Sequence, residues 1–486
     1  MTKPPANMRV RLPIAALCLG LIALLAVVAA PRAEAARPLD IGFSDARFEE
    51  SGAVSEDAFA RTKDLNADII RVNMYWAVVG FNQPVNPRDP DDPNYDWSLY
   101  DNAIRGAAEH GFDIDLTVTN APAWAEGPNR PADLDRYPAG SWKPNAQAFA
   151  DFAHAVAVRY SGTYTPPGEL EPLPAVRYFE AWNEPNLSTY ITPQWNGNKN
   201  TATDIYGKML NGFYDSVKGV NPGAQVVVGG TAPYGDPPGG PNRTQPIRFY
   251  QELLCLNTKN KKSSCPNGEA PKFDVIAHHP INRTDPPEAH AINKGDVEVA
   301  DFGSLVDVLR AAERQGTPAT GGKHDVWANE IWWQTDPPDK AEGVSYKTQA
   351  RWYQQAFYML WKAGASNVTL LQLQDSKYTP GEFTLASYQS GVFTYTGKRK
   401  PSADAVAFPF VADGKGSRVT AWGEAPGSGR LTVKAKSGGG GYRKVASFNV
   451  KAGKTFKQSI RLPKAKGKIK LRASVGADSS LPWVHK

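Results

Sequence analysis

Three cysteines, seven histidines and five methionines are all that 486 residues offer a soft metal ion or a redox centre. Cys18 lies in the amino-terminal apolar run, so the body of the chain keeps only Cys255 and Cys265, which bracket the polar stretch Asn257 to Ser264. Two cysteines this close are predicted to form a local disulfide in an oxidising compartment, a bond that pins one loop. The histidines lack ligand spacing. His278 and His279 are adjacent and would face opposite ways on a strand, and His290 and His324 stand at no ligand-like interval from them, so no metal is expected. No glycine-rich phosphate loop follows the first strand-like run, and Gly229-Gly230 lacks the spacing of a dinucleotide site, so no cofactor is expected.

Acidic residues are scarce at one end. From Val411 onward there are 17 Lys and Arg against only Asp413, Glu424 and Asp478, a charge of +14 within a total of +6, which leaves −8 for the rest. The tail also lacks an aromatic platform, with only scattered Trp422, Tyr442, Phe448, Phe456 and Trp483. Its charge suits either diffuse attraction to an anionic cell-wall polymer or the protection of edge strands from pairing.

Long apolar runs are absent apart from Leu12 to Ala30, which follows Arg9 and Arg11 and precedes Ala33-Glu34-Ala35, a small-x-small cleavage site. Residues 1–35 therefore read as a secretory signal, with an uncleaved anchor as the alternative because the run is near the minimum spanning length. Leu17 before Cys18 is too bulky for a lipoprotein site. A secreted or extracellular protein, held at the cell wall where its basic tail meets an anionic polymer, has no integral membrane association after cleavage, and secretion argues against nucleic acid as a partner.

Beyond the signal, β-rich runs alternate with helical periodicity over roughly 360 residues. Strands are predicted at Leu39–Phe43, Ile69–Met74, Asp113–Val118, Val176–Ala181, Gln225–Gly229, Val275–His278, Asp325–Ala328 and Val368–Gln372. Helices are predicted at Glu56–Leu65, Ser98–Glu109, Asn145–Arg159, Thr203–Val220, Pro246–Leu256, Ala300–Ala312, Thr348–Ala363 and Ser402–Phe408. Eight near-regular repeats fit a (β/α)8 TIM barrel over 38–410, with a doubly wound sheet as the structural alternative. After it, short strand-like runs separated by Gly-rich and Lys-Gly breaks predict a small antiparallel β-sandwich over 411–486.

In a β/α barrel the reactive side chains stand where strands break into loops. Glu184, in Phe179-Glu180-Ala181-Trp182-Asn183-Glu184-Pro185-Asn186, follows the fourth run, and Glu330, in Ala328-Asn329-Glu330-Ile331-Trp332-Trp333, follows the seventh. Two carboxylates held across a cavity are what cleavage of a glycosidic bond requires. Glu184, packed between Trp182 and Pro185, is expected to be raised by desolvation and to stay protonated, while Glu330 must be ionised to attack.

Trp182-Asn183-Glu184-Pro185 resembles the fourth-strand acid/base motif of clan A glycoside hydrolases, and Asn329-Glu330 resembles their seventh-strand nucleophile. The flavour is that of the family five cellulase-like and family thirty-nine xylosidase-like groups, and the resemblance covers about 38–410. It implies a retaining double displacement on a β-linked polysaccharide or oligosaccharide, with Glu184 as acid/base and Glu330 as nucleophile. It also implies an Arg71 that supports the nucleophile, an Asn183 that bonds a sugar hydroxyl, and a His279 that lines the site. Trp124 and Trp332, among the tryptophans near loop mouths, are candidates for stacking on sugar faces. One departure stands out. Many clan members end the eighth strand in Trp, whereas this chain reads Leu371-Gln372-Leu373-Gln374-Asp375, where Gln374 or Asp375 would have to meet the sugar or sit in a solvated loop. A carbohydrate-binding barrel without turnover and a wall-associated adhesion protein are the rival readings.

Overall fold

Runs such as Ile69-Ile70-Arg71-Val72 and Val226-Val227-Val228 are buried on both faces, the signature of parallel strands covered by helices. In the computed structural model, which describes residue 1 and residues 34–237, 240, 242–464 and 467–485, they do close on themselves. The barrel strands are β1 (Asp40–Ser44), β2 (Ile69–Tyr75), β3 (Asp113–Thr119), β4 (Tyr178–Ala181), β5 (Gln225–Thr231), β6 (Val275–His278), β7 (Asp325–Ile331) and β8 (Asn367–Leu371). Each pairs in parallel with its neighbours, and β8 returns to β1 with Val368 opposite Ile41. Closure decides against the doubly wound sheet.

The outer layer comprises α1 (Ala53–Asp64), α2 (Ser98–Glu109), α3 (Ala146–Arg159), α4 (Thr201–Val220), α5 (Pro246–Leu253), α6 (Phe302–Gln315), α7 (Tyr346–Ala363) and α8 (Pro401–Ala407). Asn145, Asn200 and Ser345 cap α3, α4 and α7 by accepting from backbone N–H groups of the first turn, and Pro opens α5 and α8. Helix boundaries differ from expectation by a few residues at most. At α6 the expected first turn, Val299–Asp301, is a 3-10 helix.

The barrel interior is layered by the two-residue period of its strands. Ile69, Tyr178, Val227, Val275, Ala277 and Trp327 form an apolar plug, with the Tyr178 and Trp327 rings edge to face at 4.7 Å. Two residues further along the same strands the layer turns polar, with Arg71 after Ile69, Glu180 after Tyr178 and Asn329 after Trp327, all buried. That charged layer is the foundation of the site.

The chain then forms two antiparallel sheets. One contains β9 (Phe410–Asp413), β10 (Arg418–Ala425) and β13 (Lys454–Arg461), and the other contains β11 (Gly429–Ser437), β12 (Arg443–Val450), β14 (Ile469–Val475), β15 (Asp478–Ser479) and β16 (Trp483–His485). Phe448 of one sheet meets Phe456 of the other at 5.6 Å, the contact of a sandwich. The expected junction between residues 410 and 411 falls inside β9. Trp422 and Trp483, scattered in sequence, are used against the barrel: Trp422 packs on Tyr358 and Trp361 of α7, and Arg351 lies over Trp483 at 4.1 Å. The predicted signal, 1–35, lies outside the described residues except for Met1, Glu34 and Ala35; the last two pair with β13. Among the described residues no helix is long and apolar enough to cross a membrane.

Candidate active site

Arg71 is placed by the strand period to point into the barrel, and it divides its donors among three partners. Nε donates to Glu180 Oε2 at 2.8 Å, one terminal nitrogen donates to Asn183 Oδ1 at 2.8 Å, and the other reaches Glu330 Oε2 at 3.3 Å. Glu180 is saturated: Thr117 donates to it at 2.5 Å, the Gly230 N–H at 2.8 Å and Asn329 Nδ2 at 3.0 Å. Burial pushes the Glu180 carboxyl up, but Arg71, His279 and these donors outweigh it and hold it below the usual carboxylate range. Asp115 lies 3.8 Å from the same guanidinium and goes the other way. Its burial and the Glu180 charge push it well up, against the pull of Arg71 and the Asn329 amide.

Glu184 comes into the cavity through a strained turn. Trp182 has φ 78 and Glu184 has φ 39, conformations that cost about 1–3 kcal/mol each outside glycine and that gather at functional sites. The turn is tied down by Trp182 N–H to Val118 O, by Glu184 N–H to Gly230 O, and by Asn186, whose buried amide bonds Ala232 and Thr244. Glu330 stands next to last on β7 and projects from the opposite side. Between them His279 places Nδ1 3.0 Å from Glu184 Oε1 and 3.8 Å from Glu330 Oε2. One ligating atom from each of Glu184, His279 and Glu330 lies within 4.8 Å of the others, so the two carboxylates approach to that distance or less. These three are also the donor group, among the described residues, tight enough to hold a metal ion.

Gly230 allows this approach, since a Cβ there would fall 2.3 Å from His279 Nε2 and 2.9 Å from Asn329 Oδ1. His278 turns to the other face, its Nδ1 2.8 Å from Thr231 Oγ1 and its Nε2 2.9 Å from Val297 O. Burial pushes it down to about 3, which makes it a neutral structural group.

Burial also pushes the Glu330 carboxyl up; the Glu184 and Glu180 charges add to this, and His279 and Arg71 oppose it. The ionised form that the sequence reading requires of Glu330 is therefore opposed by its burial. His279 and Arg71 favour its ionised form.

A cavity of about 210 Å³ opens above the carboxylates, lined by Arg71, Asn183, Glu184, Glu330 and Trp332. Trp332 is 5% exposed and tilts against Tyr388 at 5.1 Å. His279 lies just beneath, fully buried. Trp124 does not line the cavity; its indole donates to Gly80 O and meets Trp76 edge-on. Gln374 and Asp375 do not reach it either. Gln374 bonds Arg61 and Tyr395 O, and Asp375 is locked to the buried ammonium of Lys400 at 2.7 Å. Their place is taken by Phe383 and Tyr388 from the loop after β8, which with Tyr75, Tyr190 and Tyr234 make the walls aromatic. No periodicity marks these loop residues. Glu180 and Asn329 were within reach, because each stands two residues after a buried aromatic on its strand. Cys255 and Cys265 form the expected disulfide, remote from the cavity lining.

A second cavity of about 650 Å³ adjoins the first and shares Leu187 and Tyr234 with it. It is bordered by Ser188 and Thr189, which follow Glu184 in the chain, and by Arg136, Asn242 and Arg243.

No protein-family model matches the chain, and no curated protein does. Solved structures resemble it at low identity. A glucosidase from Croceicoccus marinus superposes with TM-score 0.49 at 11% identity, over 90% of this chain and 98% of that one. The GH39 enzyme from Xanthomonas axonopodis pv. citri gives TM-score 0.48 at 13% identity, over 90% and 96%. The FMN-binding beta-glucuronidase from Facaelibacterium prausnitzii L2-6 gives 0.40 at 12%; the match takes in 93% of this chain but spans only 56% of that longer one. The barrel itself stands on the strand pairing described above.

Proposed function

We propose that the chain is a secreted, retaining glycoside hydrolase acting on a β-linked glycan. The observation that carries the reading is the approach of Glu184 and Glu330 to within 4.8 Å across one cavity. Retaining glycosidases hold their carboxyls about 5–5.5 Å apart, whereas inverting enzymes leave room for a water at about 6.5–9.5 Å. In the first step Glu330 attacks the anomeric carbon as the bond to the leaving oxygen breaks, and Glu184 gives that oxygen its proton. In the second, Glu184 takes a proton from water, whose oxygen displaces Glu330 from the same carbon. Asn183, its amide oxygen fixed by Arg71, offers its NH2 to the neighbouring hydroxyl. Secretion rests on the amino-terminal sequence and on the disulfide.

The larger cavity lies beside the loop that carries the proton donor, which is the leaving-group side. At about 210 Å³ the inner cavity is smaller than the 300–1,000 Å³ usual for drug-sized ligands, and at about 650 Å³ the outer one is within that range. One sugar unit is held at the carboxylates and the rest of the glycan extends past Leu187 and Tyr234.

The test is a panel of aryl β-glycosides with wild type, Glu330→Gln and Glu184→Ala. Glu330→Gln is expected to abolish turnover. Glu184→Ala should spare substrates with good leaving groups and yield a glycosyl azide when azide is supplied. Glycan binding without cleavage by the wild type, at every pH from 4 to 8, would favour a binding barrel instead.

A further inference from the structure

The basic charge of the carboxy-terminal sandwich is not confined to its edges. β11 is an inner strand, paired with β12 on one side and β14 on the other. Its outward residues meet like charges on both: Lys434 stands opposite Lys444 of β12 and opposite Arg472 of β14, and Lys436 stands opposite Lys470. Lys434, Lys444, Lys470 and Arg472 are exposed and Lys436 is half-buried, and among the described residues none of the five has a carboxylate within ion-pair distance. Neighbouring strands lie about 4.8 Å apart, and like charges directly opposite one another destabilise a sheet. Edge protection does not call for cations on a central strand. The Tyr442 ring sits among them, with Lys436 Nζ 4.9 Å and Arg472 Cζ 5.7 Å from its centroid. A row of hydroxyls, Ser447, Thr432 and Ser474, adjoins the cations on the same face.

We propose that this sheet face is a docking surface for an acidic polysaccharide, whose uronate carboxylates neutralise the Lys444–Lys434–Arg472 and Lys436–Lys470 rows. Repeating anions relieve the cross-strand repulsion, and the hydroxyl row and Tyr442 offer bonds and an apolar face to sugar rings between the charges. Single-stranded nucleic acid would call for successive stacking platforms, and the face offers one tyrosine that is already engaged by two cations. The preference for a glycan over other polyanions rests on the glycosidase reading; the surface itself rests on the charge rows alone.

The test is affinity electrophoresis of the full chain in gels containing polygalacturonate, neutral hydroxyethylcellulose or double-stranded DNA. Retardation is expected with polygalacturonate and not with the neutral polymer, and it should weaken at least tenfold as ionic strength rises from about 0.01 to 0.15 M and the Debye length falls from about 30 to 8 Å. Lys434→Thr combined with Arg472→Thr is expected to lower the affinity at least tenfold, since it removes two of the cations that face the polyanion. The same pair should raise Tm at low salt, which separates lost binding from lost folding. Arg418→Thr with Arg461→Thr removes equal charge from the other sheet and should leave retardation within twofold. Equal weakening by both pairs, undiminished binding in Lys434→Thr/Arg472→Thr, or DNA bound as tightly as polygalacturonate would overturn the proposal. Aryl glycoside turnover is measured separately, so its absence would overturn the glycosidase reading and not the docking surface.

Discussion

Arg71 Nε donates to Glu180 Oε2 at 2.8 Å, and this fully buried pair aims the guanidinium whose far nitrogen reaches Glu330 at 3.3 Å. Glu180 touches neither cavity nor substrate position, so it acts by positioning Arg71, Asn329 and the Gly230 backbone.

Glu180→Gln is therefore expected to lower kcat by about 10–100-fold with a smaller change in KM. The Glu180 charge helps push Glu330 up and also occupies Arg71, so its removal should shift the acid limb of kcat/KM to lower pH. Removing one partner of a buried pair costs about 3–5 kcal/mol, so the variant should unfold at lower urea than wild type. A pH profile that does not move would reduce Glu180 to a purely structural role.

The wild-type acid limb itself carries information. As the proposed nucleophile Glu330 must be ionised, and burial sets its folded value above the ordinary one, so its ionised fraction falls away on acidification earlier than for an exposed glutamate at about 4.3. The kcat/KM profile for an aryl glycoside should lose activity with a midpoint above 4.5. A midpoint at or below 4.3 would contradict the assignment.

His278 predicts acid lability without any part in the chemistry. Its folded value, about 3, lies below the unfolded value of 6.5, so its contribution to stability is present above 6.5 and is lost as pH falls towards 3. The loss approaches about 1.4 kcal/mol per pH unit in that window. Urea midpoints between pH 7 and 4 should fall less steeply for His278→Gln than for wild type, although the variant starts lower because it disturbs the bonds to Thr231 and Val297.

The outer cavity predicts chain-length dependence. Once the panel has identified the sugar, kcat/KM for the matching β-linked oligosaccharides should rise as residues are added on the leaving-group side. Ser188→Trp, which fills the cavity beside Leu187, should flatten that rise. Its loss should be about tenfold greater on a tetrasaccharide than on an aryl glycoside. Equal rates from the disaccharide upward in the wild type would remove the outer cavity from substrate binding.

Much of this fold was legible because its signals are local. Eight strands and eight helices announce themselves by period, and Glu184 and Glu330 by standing where buried runs break into loops, whereas Arg71, third on β2, was marked only by the family resemblance. Strands β10 to β14 of the sandwich were visible from their turns, but β9, β15 and β16 were not, because two to four residues carry no period of their own.

The sequence by itself determined the repeat, the two acids and the concentration of positive charge, since these depend on residue type and near-neighbour spacing. Only the tertiary structure decided that the sheet closes, that the acids meet across His279, that Asp375 is consumed by Lys400, and that the lysines face one another on an inner strand. Each of those outcomes is a distance between residues far apart in the chain, and such distances are set by how strands pair and loops pack, which no local pattern encodes.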